Sequence, residues 1–165
     1  MAKRKVALPN ALVFTLHEQA LALPVEVITE VVRPVWPLRL PRAPSGCLGA
    51  IDVRGQLVPL VRLGALLSLE GLARPEALGD YLIGRMVLVV SLRRTVALVV
   101  DQVLDVCDID PRVPMSALEA ALASTPIVGT CALGNRRALV LDPTRLVSAV
   151  RSRLLQRSLD AVAVT

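Results

Sequence analysis

Side chains that could carry catalytic or metal chemistry are few in this sequence and poorly spaced for it. The single histidine, His17, stands in a predicted turn, with no metal ligand at a suitable spacing and no nucleophile near it. The only lysines, Lys3 and Lys5, belong to no phosphate-binding GxxxxGK motif. We therefore expect no metal site, no cofactor and no enzyme. Acid–base chemistry by two carboxylates that meet only in the folded chain stays open at this point.

An acidic cluster and three cysteines are the remaining candidates for ion or redox chemistry. Four aspartates follow a predicted strand, without the glycine and the terminal glutamate of a calcium-binding EF-hand loop. They are Asp101, Asp105, Asp108 and Asp110. The three cysteines are Cys47, Cys107 and Cys131. Because their number is odd and their separation wide, we expect reduced cysteines that pack as small buried hydrophobic residues.

Charge and hydropathy narrow the class of protein further. The net charge is +5, and 17 of the 19 basic residues are arginines, but they are dispersed and come without stacking aromatics. A nucleic-acid-binding barrel is therefore only an alternative interpretation, suggested by the pI of about 9.9. No run of about 20 uncharged residues occurs, so we expect no spanning helix. The basic start, residues 1–5, lacks an uninterrupted apolar stretch behind it, which predicts a cytoplasmic protein without an export signal.

The elements that must position these residues are short strands arranged in an internal repeat. Residues 22–32 match residues 97–107 at an offset of 75, and residues 48–63 match residues 128–143 at an offset of 80. Each half therefore carries two predicted hairpins. Their turns are predicted at residues 17–19, 93–94, 54–56 and 134–136. The runs between the turns are short, β-branched and bounded by Gly or Pro, which is typical of an all-β fold of small barrels.

Helices and connections are predicted around the hairpins. Three helices are predicted: residues 63–69, residues 115–124 with Ser116 as N-cap, and an amphipathic helix that begins at Asp142 and Pro143 and places Leu146, Val150 and Leu154 on one face. We expect the last helix to pack on the barrels, with a membrane-surface helix as the alternative. Residues 69–84 link the halves, and the proline-rich residues 33–46 form an extended loop. Trp36 in this loop is interpreted as a cap on the core, with an exposed anchor for a partner as the alternative.

The two copies of the second hairpin differ in charge at the turn. The first copy has Asp52 and Arg54 where the second has Ala132 and Gly134. A barrel does not need a charge at this place, so Arg54 is a candidate contact residue. The alternative is an ordinary solvated turn arginine.

Six segments, in order along the chain, carry a pattern that one family shares. They are residues 14–16, 22–32, 40–44, 48–61, 97–106 and 128–129. Together they resemble the CheW-like domain family over about residues 11–148. The resemblance implies two small SH3-like five-stranded β-barrels, to which the residue pattern adds short helices and a C-terminal amphipathic helix. It also implies a domain at residues 11–150, with barrel-like repeats at roughly 11–68 and 86–148 that could exchange strands, and a C-terminal helix and tail at 151–165.

The resemblance implies a function without chemistry. Proteins of this family are non-catalytic coupling scaffolds of bacterial chemosensory systems. They link the cytoplasmic tips of methyl-accepting chemotaxis receptors to the regulatory domain of a CheA-type histidine kinase. For this chain we therefore expect a cytoplasmic adaptor recruited to receptor arrays, with no cofactor, no nucleic acid and no membrane insertion.

The family's coupling positions fall on Ile28, Glu30, Arg54 and Gly55 of this sequence. A charge pair between Glu30 and Arg54 is expected to fix the turn and to present a hydrophobic groove to a receptor helix. Arg62 stands where the family usually has Asp, a reversal of charge that we interpret as altering specificity. The alternative function is a specialised adaptor for motility or another chemosensory pathway that has lost the kinase-binding half.

Overall fold

Ten strands dominate the part of the chain that the structure, a computed structural model, describes: residues 10–44, 46–67, 86–91, 94–110, 127–146 and 148. The strands are β1 (Asn10–Leu16), β2 (Gln19–Pro24), β3 (Ile28–Val32), β4 (Cys47–Val53), β5 (Gln56–Arg62), β6 (Met86–Ser91), β7 (Thr95–Val100), β8 (Gln102–Asp110), β9 (Ile127–Leu133) and β10 (Arg136–Leu141). A short helix α1 (Leu63–Leu66) follows β5, and a 3₁₀ turn (Val25–Val27) precedes β3. The predicted all-β class is confirmed.

The strands form two five-stranded units. The first is a closed barrel in the order β1-β2-β10-β9-β8, and the second is a sheet in the order β3-β6-β7-β5-β4. Two pairings are parallel, β2 with β10 and β5 with β7, and the others are antiparallel. The barrel therefore combines the first two strands of the chain with three strands from its second half.

Tight hairpin turns fix the register of these strands. Leu16 pairs with Gln19 around a two-residue turn in which His17 and Glu18 have φ of 48° and 65°. Arg54 and Gly55 form a similar turn between β4 and β5, with φ of 52° and 82°. Positive φ at both central residues is the type I′ geometry that matches the twist of paired strands. The hairpin predictions at residues 17–19, 54–56 and 134–136 are confirmed; the turn predicted at 93–94 lies partly outside the described residues.

One hydrophobic cluster joins the barrel to the second sheet. The barrel contributes Phe14, Leu16, Leu21 and Leu23 from β1 and β2 and Leu141 and Leu146 from β10 and beyond. The second sheet contributes Val61, Val90, Val96, Leu98 and Val100. Phe14 is fully buried within this cluster. Because both units share these contacts, each covers apolar surface that the other would expose.

A second cluster fills the barrel and contains a cysteine. Cys131 is buried there beside the half-buried Cys107, and Cys47 is half-buried elsewhere. All three thiols are free. Burial raises the pKa of Cys131 to about 11, and burial also raises the pKa of Cys107. Both thiols are therefore protonated at neutral pH and act as small hydrophobic side chains.

Asp101 is the single residue between β7 of the sheet and β8 of the barrel. Its backbone N–H donates to Thr15 O at 2.9 Å, and its carboxylate Oδ2 accepts from the backbone N–H of His17 at 2.7 Å. These bonds attach the joint between the units to the β1–β2 turn.

Of the three predicted helices, the structure describes α1 and only the first turn of the last one. Helix α1 lies within the predicted 63–69, and residues 143–146 begin a second helix. Asp142 caps this helix as predicted, because its Oδ1 accepts from the N–H groups of Thr144 and Arg145 at 2.9 and 3.3 Å. Leu146 is buried, as its face requires. Val150 and Leu154, the helix at 115–124, the tail 151–165 and the link 69–84 lie outside the described residues.

The connection after β3 is extended, as predicted, but the interpretation of Trp36 as a cap on the core is wrong. Leu38 forms an antiparallel bridge with Ala50, so this segment lies along the free edge of β4. The neighbouring Pro37 is buried while Trp36 is 63% exposed. Successive side chains of an extended backbone point to opposite sides, so burial of the proline turns the tryptophan outward.

None of the described helices has the length and hydropathy needed to cross a membrane.

Candidate functional site

The β4–β5 turn places the side chain of Arg54 in solvent. Asp52 Oδ1 accepts from the backbone N–H of Gly55 at 2.7 Å, which closes the turn from inside. Gly55 suits its positive φ, because only glycine adopts that backbone conformation without strain. The side chain of Arg54 is 82% exposed. The comparison of the two repeats named Asp52 but gave it no role, although an Asp three residues before a turn glycine is a recognisable signal.

Glu30 approaches the same turn from the other edge of the second sheet. It lies on β3 and pairs with Val89 of β6, and its side chain is 25% exposed. Arg54 Nε lies 3.4 Å from Glu30 Oε1. The structure therefore brings together the two charged residues that the sequence singled out.

The position of this ion pair says how the second sheet is shaped. β3 and β4 are the first and last strands in the order of the sheet. Glu30 lies on β3, and Arg54 follows β4 directly. A contact of 3.4 Å between them requires the sheet to curl until its opposite edges approach each other.

The energy of the ion pair is small. A charge pair of this exposure contributes about 0–1 kcal/mol, since water and salt screen it. Its value lies in orientation, because Glu30 limits the directions in which the long Arg54 side chain points.

Ile28 is less accessible than the sequence led us to expect. It pairs with Val90 and packs, half-buried, against the cluster that joins the two units. Two apolar residues close to it in the sequence, Val25 in the 3₁₀ turn and Val31 on β3, are exposed. Val31 is exposed because the side chains of β3 alternate, with Ile28, Glu30 and Val32 half-buried and Thr29 and Val31 exposed.

Arg62 lies apart from the ion pair. It ends β5, about 20 Å along the strand from the Arg54 turn at 3.3–3.4 Å per residue, and its N–H donates to Gly46 O at 2.8 Å. It also precedes α1 as an N-cap whose side chain makes no capping bond. In the second copy of the repeat Asp142 holds the equivalent place and caps its helix. The charged residues predicted from the sequence therefore lie at two separate positions: Glu30 and Arg54 at one, and Arg62 at the other.

The remaining candidates for ion chemistry do not form a binding loop. Asp105, Asp108 and Asp110 all lie within strand β8, and Asp101 precedes it at the joint. An extended strand cannot wrap its own carboxylates around a calcium ion as an EF-hand loop does. What the site at Arg54 offers instead is an exposed, oriented guanidinium on a turn beside the exposed apolar residue Leu57.

Comparison with known proteins gives these features a family context. The family model described as CheW-like domain matches residues 10–151. Among curated proteins the chain is 26% identical over 147 residues to the chemotaxis protein CheW of Klebsiella aerogenes, covering 87% of this chain and 84% of that protein. Among solved structures it is similar to the scaffolding protein TtCheW from Thermoanaerobacter tengcongensis, with a TM-score of 0.65 and 21% identity. That match covers 84% of this chain and 92% of the other.

Proposed function

Because the chain belongs to the CheW-like domain family, whose members are non-catalytic scaffold proteins of chemotaxis, we propose that it couples chemoreceptors to a histidine kinase. Specifically, it binds the cytoplasmic tip of a methyl-accepting receptor and the regulatory domain of a CheA-type kinase, each through a surface of its own. It acts in the cytoplasm, recruited to the receptor array. Its contribution is to hold the two partners in a fixed geometry.

The ion pair between Glu30 and Arg54 is the observation that supports this proposal most directly. A scaffold must present its contact residues in one orientation, because each contact residue that is ordered only on binding lowers the affinity. Arg54 is exposed for contact, and Glu30 together with the Asp52-closed turn orients it. An exposed apolar side chain, Leu57, lies next to the turn on β5, opposite Asp52. An oriented charge beside apolar surface suits an amphipathic receptor helix.

The proposal predicts that reversing either charge weakens partner binding far more than it changes stability. We expect Arg54→Glu and Glu30→Arg each to raise the Kd for the receptor tip about tenfold, which is about 1.4 kcal/mol. The free energy of unfolding should change by no more than about 1 kcal/mol. The double exchange should recover part of the affinity. Calorimetric titration with the receptor tip and with the kinase regulatory domain, expected to bind in the micromolar range, measures both surfaces.

Arg136→Glu is the matched control for these variants. Arg136 is an exposed arginine directly after the equivalent turn in the second copy of the repeat, between β9 and β10. If Arg54→Glu binds both partners as tightly as Arg136→Glu does, the coupling role of Arg54 is refuted. If only the receptor arm weakens, Arg54 belongs to the receptor surface. Binding to the receptor tip but never to the kinase domain would instead support the specialised adaptor.

Arg62 provides the second test. It occupies the N-cap position of α1, but its side chain accepts no hydrogen bond from the first turn of the helix. We expect Arg62→Asp to raise the free energy of unfolding by about 1 kcal/mol, since an aspartate there can accept from the N–H groups that begin α1. If Arg62 also sets specificity, the same variant changes the Kd for the kinase domain. Urea unfolding and titration separate the two effects. Arg62→Asn keeps the cap without the negative charge, so equal Kd values for all three proteins would exclude a specificity role.

A further inference from the structure

A second exposed surface lies on the connection between β3 and β4, and the ion-pair site does not use it. Its apolar residues are Val35, Trp36, Leu38 and Leu40, of which Trp36 and Leu38 are 63% and 57% exposed. Its charged residues are Arg33, Arg39 and Arg42, all exposed. We call these seven residues the Trp36 surface.

The backbone under this surface is fixed. The N–H of Leu38 donates to Ala50 O at 2.7 Å, and the N–H of Ala50 donates to Leu38 O at 2.9 Å. Gly49 allows this approach, since a Cβ added there would lie 2.3 Å from Leu38 O. Four prolines, at positions 34, 37, 41 and 44, restrict the segment further. A tryptophan on a fixed backbone loses little conformational freedom when a partner covers it.

All charged residues of the Trp36 surface are positive. Between Glu30 and Asp52 the chain has three arginines and no acid. Among the described residues no carboxylate lies within ion-pair distance of Arg33, Arg39 or Arg42. Guanidinium groups match carboxylates with two parallel hydrogen bonds, which lysine cannot do. The complementary partner is therefore acidic around an apolar centre.

The Trp36 surface is connected along the chain to both residues of the Glu30–Arg54 pair. The segment leaves β3 two residues after Glu30, and at Leu38 it bridges Ala50, four residues before Arg54. Trp36 therefore lies on the stretch of chain between the ion pair and this bridge. The connection that carries this surface therefore starts at the strand that holds Glu30 and ends at the strand that leads to Arg54.

We propose that the Trp36 surface docks an acidic, amphipathic protein segment of one of the two coupling partners, with Trp36 as its apolar anchor and the three arginines pairing with carboxylates. This inference rests on the proposed function. A tryptophan flanked by arginines has the composition of the residues that dominate binding energy at protein interfaces. Membrane binding depends on the apolar area inserted as well as on attraction to anionic lipids, and four side chains on one segment insert a small area.

Trp36 is itself the reporter for the test, because it is the only tryptophan in the chain. We expect its fluorescence emission to shift to the blue, and its quenching by acrylamide to fall, when the receptor tip or the kinase regulatory domain is added. The Kd measured by calorimetry should rise about tenfold for Trp36→Ala and for Arg39→Glu. The Kd of the unchanged protein should also rise as salt is added, because salt screens the arginine–carboxylate attraction. Val128→Ala removes an equally exposed apolar side chain on β9 and should bind like the unchanged protein.

The outcomes separate this inference from the proposed function. If a partner binds the unchanged protein but leaves the Trp36 emission unmoved, and Trp36→Ala binds equally well, the inference is overturned while the coupling function stands. If neither partner binds at all, the proposed function fails and the inference with it. A blue shift with phosphatidylglycerol vesicles and not with either protein would make this a membrane-binding surface and overturn the inference. Far-UV circular dichroism confirms that each variant is folded.

Discussion

Gly49→Ala is expected to lower the free energy of unfolding by about 2–4 kcal/mol, as the sum of backbone strain and overpacking. Gly49 has a φ of 138°, which side-chain-bearing residues rarely adopt. The added Cβ would meet Leu38 O at 2.3 Å and Pro37 Cβ at 3.1 Å. Neither group can retreat without breaking the two hydrogen bonds between Leu38 and Ala50. Urea unfolding followed by far-UV circular dichroism measures the loss.

Gly55→Ala is the matched control, because it has the strain without the collision. Gly55 has a φ of 82°, and no atom lies within 4 Å of a Cβ built there. Gly55→Ala should lower the free energy of unfolding by about 1 kcal/mol, which is the backbone strain of an alanine in the left-handed region alone. The close approach of Leu38 to Gly49 would be contradicted if the two variants lost the same stability.

Phe14→Ala is expected to have the largest effect of any single substitution considered, a loss of about 3–5 kcal/mol. Phe14 is fully buried, and it is the only phenylalanine in the chain. Its cluster joins the barrel to the second sheet, so the cavity weakens both units at once. The loss is a large fraction of the stability of a native protein, which is about 5–15 kcal/mol.

The shared cluster also predicts how the variant unfolds. Trp36 fluorescence follows the segment bridged to the second sheet, whereas circular dichroism follows the strands of both units. We expect the two signals to change together in both the unchanged protein and Phe14→Ala, since neither unit keeps its core alone. Phe14→Leu keeps most of the volume and should cost no more than about 1.5 kcal/mol. Separate transitions for the two signals would show that the units are independent.

The hairpins could be predicted from the sequence, but their partners could not. Alternating apolar residues and turn residues such as Gly55 and Gly134 mark a strand, a turn and a second strand, all of which are local. Which strand lies beside β2 depends on contacts far apart in sequence, and nothing local distinguishes β10 from β3 as its neighbour. An exchange of strands between the halves was one expectation from the sequence, but which strands are exchanged is known only from the structure.

The candidate site was predictable to a similar degree. Comparison of the two repeats singled out Arg54, and resemblance to a family supplied Glu30 as its partner. The exposure of Trp36 was not predictable, because a tryptophan among apolar residues usually lies in a core. The outcome depended on Pro37, whose burial against the edge of β4 turned its neighbour outward. The sequence contains no signal for which of two adjacent apolar residues faces the fold.

The order of strands in the barrel has a consequence for folding during synthesis on the ribosome. The β1–β2 hairpin is synthesised first, but the strands that close its barrel, β8 to β10, come after the whole second sheet. At about 5–20 residues per second, the nascent hairpin waits for several seconds with both edges open. The second sheet has all its strands before the barrel does, so it can form around the tethered hairpin. Vectorial synthesis thus favours a folding order that differs from the order of the chain, and it leaves the earliest strands longest within reach of chaperones.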